Sequence, residues 1–286
     1  MNTFAILGSG FGLYGYLPAL IQGGVQTVFL PQRYQAKFTS RNELKSFEES
    51  IQWKQDDQDA VSSAQAVVLA ITPFLQNEWI PELLNRKHLH QFILEKPLAQ
   101  TPEESCRRLG DMIRSKKIFR IGYTFHYTPW AQTLLKELKS QKTPISIEWN
   151  FLAHHYLNNL HNWKRSHATG GGAIRFYGIQ LIALLAELGY SDVIFSEAFG
   201  ETPDDLNRWV AVFQGTSLPE CKISINSKAS SNEFMVSSLP TANLKDPFDT
   251  KENTNNKLDR RVPLLMQIYK SLDETQNNPY NWYHMS

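Results

Sequence analysis

Thr3-Phe4-Ala5-Ile6-Leu7-Gly8-Ser9-Gly10-Phe11-Gly12-Leu13-Tyr14-Gly15 decides how the first part of this chain folds. Five residues of strand character run into a cluster of glycines, and a helical pattern resumes at 13–21. A strand that stops at glycines and restarts as a helix lets backbone N–H groups approach a phosphate. The helix N-terminus adds its partial positive charge. A second strand signal at 27–30 closes a βαβ unit of roughly 30 residues, the context that gives a glycine motif its weight. Dinucleotide binding is therefore expected at Gly8, Gly10, Phe11 and Gly12, against the plainer reading of a tight turn without a ligand.

The register is uneven. Counted from the strand end, the glycines fall at Gly8 and Gly10, and the third motif position is Leu13; a full G-x-G-x-x-G at Gly10, Gly12 and Gly15 starts two residues late. The first register is preferred, with looser helix–strand packing expected at Leu13. After the second strand the chain reads Pro31-Gln32-Arg33, with Arg41 further on, and offers no carboxylate for a ribose. An arginine there can pair with a 2′-phosphate, which favours NADP(H) over NAD(H). The plainer alternatives are solvated loop charges, or a pocket that has lost its cofactor.

At 286 residues two domains are expected, each able to bury its own core. The chain is 42% apolar and 20% charged with a net charge of +1, which argues against a nucleic-acid partner that needs a basic face. Cys106 and Cys221 lie far apart and beside no metal-ligand pattern, so neither a disulfide framework nor a metal site is expected. The apolar start lacks a basic flank and reads as a strand, and no apolar run approaches the ~20 residues of a membrane span. A cytoplasmic chain without a membrane partner is expected.

The first 122 residues alternate strand and helix signals. Helices are expected near 42–49, 57–64, 77–85 and 101–115, and strands near 51–53, 66–71, 91–94 and 119–122. The unbroken apolar run at 66–71 suits a strand buried on both faces of a parallel sheet. Thr101-Pro102-Glu103-Glu104 is a strong helix start. The second half changes character: helix at 129–138, strand at 145–151, a loop rich in His and Asn, and a long apolar helix at 172–188. Strands follow in succession at 193–199, 209–214, 221–226 and 233–237, then a long polar loop over 239–257 that is mobile or folded over the site, and a helix at 260–272. The expected fold class is α/β: a Rossmann doubly wound parallel sheet over 1–122, and over 123–286 an α/β domain with a mostly antiparallel open sheet.

With Glu95-Lys96-Pro97 placed after the fifth strand, the sequence resembles the glucose–fructose oxidoreductase / inositol dehydrogenase (Gfo/Idh/MocA) family over most of its length. The likeness is carried by the glycine turn, Ile71-Thr72-Pro73, Glu95-Lys96-Pro97-Leu98-Ala99, Gly122-Tyr123-Thr124-Phe125-His126-Tyr127, Trp163, and Gly170-Gly171-Gly172-Ala173-Ile174. It implies a Rossmann domain followed by an α/β domain whose open sheet floors the substrate site and forms a homodimer or homotetramer contact. It also implies that Thr72, Pro73, Glu95 and Lys96 meet the cofactor, with Lys96 beside the nicotinamide and the reacting carbon. An ammonium there can hold a substrate hydroxyl or polarise a carbonyl; the plainer reading of Lys96 is a surface lysine after an edge strand.

The resemblance breaks on the long helix. The family's pattern G-G-G-x-L-x-D-x-G-x-H-x-x-D finds Phe176, Gln180 and Ala183 where its Asp, His and second Asp stand. Glutamine cannot titrate, so the family's ordinary proton chemistry does not transfer. Similarly, the histidine that often follows the Thr-Pro motif is Asn77. Lys96, Tyr177 and Gln180 are the catalytic candidates, and Lys96, His126, Trp163, Arg165, Arg175 and Gln180 the substrate candidates. Each histidine taken alone is more simply a surface-loop residue. Residues 149–186 carry no Asp or Glu but hold Lys164, Arg165, Arg175 and four histidines, which points to an anionic small molecule or to a solvated face that lacks acids. The expected activity is NAD(P)-dependent hydride transfer on a carbonyl or imine with non-standard proton chemistry. The alternative is a cofactor- or metabolite-binding protein without turnover.

Overall fold

The strand signals at the start of the chain become a parallel sheet. β1 (Thr3–Leu7), β2 (Thr27–Pro31), β3 (Ile51–Lys54), β4 (Ala66–Leu69), β5 (Gln91–Leu94) and β6 (Ile118–Ile121) lie in the order β3-β2-β1-β4-β5-β6, and every neighbouring pair is parallel. These are the features of a doubly wound Rossmann sheet, whose direction of winding reverses between β1 and β4. The computed structural model describes residues 3–140, 143–237, 243–249 and 257–274. All four residues of β4 are buried, as a strand covered on both faces requires.

The connecting helices are α1 (Leu17–Gln22), α2 (Gln35–Thr39), α3 (Asp57–Ser63), α4 (Pro73–Leu84) and α5 (Pro102–Ser115). α5 opens on a full capping box: Thr101 Oγ1 accepts from Glu104 N–H, and Glu104 Oε2 accepts from Thr101 N–H, both at 3.2 Å. α4 begins four residues earlier than the sequence pattern predicts, because Thr72 caps it and Pro73 takes the first helical position. The helix expected at 42–49 is a 3-10 stretch, Asn42–Ser50.

The chain divides into two compact units, with a boundary between Gly122 and Tyr123. The second unit begins with α6 (Pro129–Glu137) and builds a six-stranded sheet from β7 (Ile145–Leu152), β8 (Tyr190–Gly200), β9 (Leu206–Gly215), β10 (Cys221–Asn226), β11 (Lys228–Val236) and β12 (Asn243–Leu244). Their order is β12-β11-β7-β10-β9-β8; only the β7–β10 pair is parallel. α7 (His154–Leu157) follows β7, and α8 (Ile179–Leu188) covers the sheet, placing Leu181, Leu184 and Leu185 in a core with Ile147, Trp149, Trp209, Ala211 and Ile223. Part of the loop expected at 239–257 forms β12; the segments 238–242 and 250–256 lie outside the described residues.

Two sequence expectations need correction. The last helix, α9 (Val262–Glu274), belongs to the first unit and not to a domain spanning 123–286. Its anchor is Arg120 in β6, only 5% exposed, which donates through Nε to Ser271 Oγ at 2.8 Å and through Nη2 to the Ser271 carbonyl. Tyr269 of α9 also packs edge-on to Phe4 of β1. A buried guanidinium needs such acceptors, and no local pattern announces one 151 residues away. Second, the helical run His167–Leu188 is 22 residues long with a mean hydropathy of 1.3, long and apolar enough to cross a membrane by composition alone. Ala173, Leu181, Leu184 and Leu185 of this run lie in the second unit's core, and Ile174, Tyr177, Ile182 and Leu188 pack against it.

Candidate functional site

In the first unit the site is built at the carboxyl ends of β1, β4 and β5. Gly8 has φ +136°, and a Cβ there would lie 2.2 Å from the Ala70 carbonyl oxygen. At Gly12 a Cβ would lie 2.8 Å from Ile6 Cγ2, so Gly12 supplies the close helix–strand approach for which the motif register has Leu13. The chain winds as a π-turn over Gly12–Tyr16 before α1, which accommodates the displaced register. At Gly10 a Cβ would meet nothing within 4 Å. Tight packing on either side of an open Gly10 is a fit for a phosphate drawn close to the backbone. Phe11 turns its ring away from the turn, onto Gly15 and beneath Arg261, whose guanidinium carbon lies 4.1 Å from the ring centroid.

The end of β2 brings further groups to this turn. Tyr34, 4% exposed, accepts a hydrogen bond from Gly8 N–H at 3.0 Å and one from Arg33 Nη2 at 3.1 Å. Arg33 Nη2 also pairs with Asp57 at 2.6 Å, and Lys37 Nζ donates to Ser9 Oγ at 3.2 Å. Thr72 caps α4, accepting from Leu75 N–H at 3.5 Å. Asn77, the position of the missing histidine, is held by Arg108 Nε at 2.7 Å.

Glu95 is the hub of the unit. Its Oε1 accepts from Tyr16 O–H at 2.6 Å, and its N–H continues the ladder to Leu69 at 2.8 Å. A Cβ at Gly122 would fall 2.6 Å from Glu95 Oε1, so the glycine leaves room for the pair. Burial pushes the Glu95 carboxyl above its ordinary range, against the pull of Lys96 and Tyr16; burial, then Glu95, raise Tyr16 further. Lys96 follows at once, joined to Pro97 by a cis peptide. Tyr16, Tyr34 and Asp57 lie outside the motifs read from the sequence, whereas Gly122 opens the motif that runs to Tyr127.

In the second unit, Gln180 is 4% exposed and accepts from Phe125 N–H at 3.4 Å. His126 Nδ1 pairs with Glu187 at 2.7 Å. Tyr177 lies in an aromatic nest, edge-on to Phe151 and Phe176 and stacked on His155 at a ring distance of 6.1 Å. Trp163 meets Phe176 edge-on at 5.3 Å, and Arg175 donates to the His167 carbonyl at 3.0 Å.

The stretch that lacks acids in sequence does not lack them in space. Asp204 and Asp205, in the turn between β8 and β9, fold against it. Arg165 is ion-paired to Asp205, whose other oxygen accepts from Tyr156 O–H; Asp204 accepts from Ala168 N–H at 2.7 Å. Burial would raise Asp205, but the bonds from Arg165 and Tyr156 outweigh it and hold the carboxyl below the usual range. His155 is 3% exposed, and burial, with Lys164 and Arg165 nearby, lowers it to about 4. Beside this network a cleft of about 630 Å³ is lined by Trp163, Arg165, Thr169, Glu201, Asp204 and Asp205 among others.

No family model matches the chain. An uncharacterized oxidoreductase of Synechocystis sp. is 28% identical over 180 residues, covering 60% of this chain and 47% of the relative. The chain thus spans about half the length of the curated relative it matches. Among solved structures, GenD2 from gentamicin A biosynthesis, in complex with NAD, has a TM-score of 0.71 at 13% identity, covering 98% of this chain and 88% of its own. The dehydrogenase MviM of Clostridium difficile gives 0.69 at 14%, covering 97% and 91%. The WlbA dehydrogenase of Thermus thermophilus, in complex with NAD and UDP-GlcNAcA, gives 0.65 at 14%, covering 100% and 93%. These likenesses establish the fold, a Rossmann sheet with a second, mostly antiparallel sheet, as the resemblance to the Gfo/Idh/MocA family implies.

Proposed function

We propose that this protein is a nicotinamide-dependent oxidoreductase that transfers hydride to or from a small molecule, with NADP(H) preferred over NAD(H). The observation that carries the reading is the glycine turn: closed by Gly8 and Gly12, open at Gly10, and set at the strand ends beside the Glu95-Lys96 turn. The relatives bear on it through their own descriptions, an oxidoreductase and dehydrogenases in complex with NAD. Gly8, Gly10, Phe11, Gly12, Thr72, Pro73 and Glu95 would hold the dinucleotide. A bound nicotinamide would supply the hydride-carrying carbon.

The chain's residues would do the rest. Lys96 would hold the substrate oxygen or nitrogen and offer a proton to it. Gln180 cannot exchange a proton, so the second proton-handling group is assigned to Tyr177. His126, Trp163 and Arg175 would contact the substrate. Arg165 is committed to Asp205, so the anionic character of the substrate rests on Lys164 and Arg175. NADP(H) is preferred because Arg33 bonds the Tyr34 hydroxyl, which accepts from Gly8 N–H, and Lys37 bonds Ser9 of the glycine turn, while no carboxylate follows β2 at 31–33. A second copy is assigned to the β8 face, which leaves Val193, Ile194, Phe195 and Phe199 exposed. Cys106 and Cys221 are free, in keeping with a cytoplasmic setting.

Titration with NADPH and NADH, read by tryptophan quenching and energy transfer to the nicotinamide, tests the reading. Tight NADPH binding that falls to the NADH level in an Arg33→Gln, Lys37→Gln variant is expected. Absence of binding by either dinucleotide would overturn the oxidoreductase.

A further inference from the structure

We propose that Gln76 is a positioning residue for Lys96, a clamp that fixes the backbone on both sides of the lysine; this rests on the role given to Lys96 above. Gln76 lies in the first turns of α4, its N–H bonded to the Thr72 carbonyl at 2.9 Å. It is fully buried, at 0% exposure. Its Nε2 donates to the Glu95 carbonyl at 2.6 Å and to the Pro97 carbonyl at 3.0 Å. Those two carbonyls bracket Lys96. Two acceptors facing one amide fix its orientation, since the flipped amide would set oxygen against two oxygens.

The arrangement has a cost, and it falls on the other end of the amide. Gln76 Oε1 is buried without a hydrogen-bond partner among the described residues. Satisfying an irregular turn would account for the two bonds alone. The identity of the turn is what makes them more than filler. Glu95 is also held through its side chain by Tyr16, which follows the glycine turn, and through its N–H by β4. Gln76 adds the start of α4, where Thr72 and Pro73 lie. The glycine turn and the start of α4, two segments assigned to the cofactor, are thereby tied to the residue before Lys96. A reacting side chain keeps its geometry only when the shell behind it is locked.

The test reads Lys96 itself. Reductive methylation with ¹³C-formaldehyde gives each lysine a resonance, and Lys96→Arg identifies that of Lys96. The variants are Gln76→Leu and the shorter amide Gln76→Asn, with Ile80→Val in the same helix as a control for lost stability. In Gln76→Leu, NADPH affinity is expected within about threefold of the parent. The Lys96 methylation rate should rise toward that of exposed lysines, and its NADPH-induced shift should disappear. Gln76→Asn should fall between the two, and Ile80→Val should leave Lys96 unchanged. A Lys96 rate and shift untouched in folded Gln76→Leu or Gln76→Asn would overturn the clamp. If the parent itself bound no NADPH, the oxidoreductase reading would fall, while the methylation rates would still decide the clamp.

Discussion

Each unit contains an arginine that the sequence offers as an anion site, and in each the arginine is paired with an aspartate. The two pairs differ in their surroundings. Arg33–Asp57 joins an arginine side chain that is 57% exposed to an aspartate that is 18% exposed, so water competes for the guanidinium. Arg165–Asp205 joins side chains that are 11% and 16% exposed, and Tyr156 bonds the same carboxylate and lies under the guanidinium at 4.8 Å. An exposed pair contributes little and can exchange its acid for a phosphate; a buried one cannot release either partner without stranding a charge. The first arginine therefore stays open to solvent, and the second is part of the framework.

The sharpest way to break this contrast is to remove each acid in turn. Asp205→Ala leaves Arg165 largely buried without its counter-charge and frees the Tyr156 hydroxyl, and a loss of about 3 kcal/mol is expected from urea unfolding. A loss near zero would mean that Arg165 reaches solvent and is open to an anionic substrate after all. A smaller effect belongs to His155, which has no counterpart in the first unit. Its ordinary value is about 6.5 and folding lowers it to about 4. The folded state therefore binds fewer protons than the unfolded chain between these values. Its contribution is complete above pH 6.5 and is lost as the pH falls toward 4. Roughly 2 kcal/mol should separate pH 7 from pH 4.5 on this account, and His155→Phe, which keeps a ring against Tyr177, should flatten that limb. An unchanged acid limb in the variant would assign the loss to carboxylates instead.

What was legible in the sequence was local. The strand–glycine–helix start, the Thr101 cap and the Glu95-Lys96-Pro97 turn depend on neighbours within a few residues, and each stands where the pattern places it. The misjudged features depend on partners far along the chain. α9 joins the first unit through Arg120 and Ser271, and Asp205 meets Arg165 from 40 residues away. Charge counted along 149–186 gave a basic stretch, yet the turn after β8 supplies the acids once the strands pair. Gly12 is an intermediate case: the glycine was visible, but its task of meeting Ile6 emerges only with the π-turn.

The smallest expected effect is also the one that best separates ligand from framework. Asp57→Ala should cost less than about 1 kcal/mol of stability, because the Arg33 side chain is mostly in solvent. Its effect on binding should be larger than its effect on folding. Asp57 competes with any phosphate for Arg33, so its removal should tighten NADPH severalfold at low salt and leave NADH unchanged, with the gain fading as salt screens the charges. Asp57 Oδ1 is buried and finds no hydrogen-bond partner among the described residues, so an opposite role is built into the same group. Were the carboxylate itself a ribose ligand standing in for the acid absent at 31–33, NADH would weaken in the variant and NADPH would not gain. The sign of the NADPH change thus decides whether Arg33 or Asp57 reads the ribose, on a pair whose contribution to folding is too small to confuse the result.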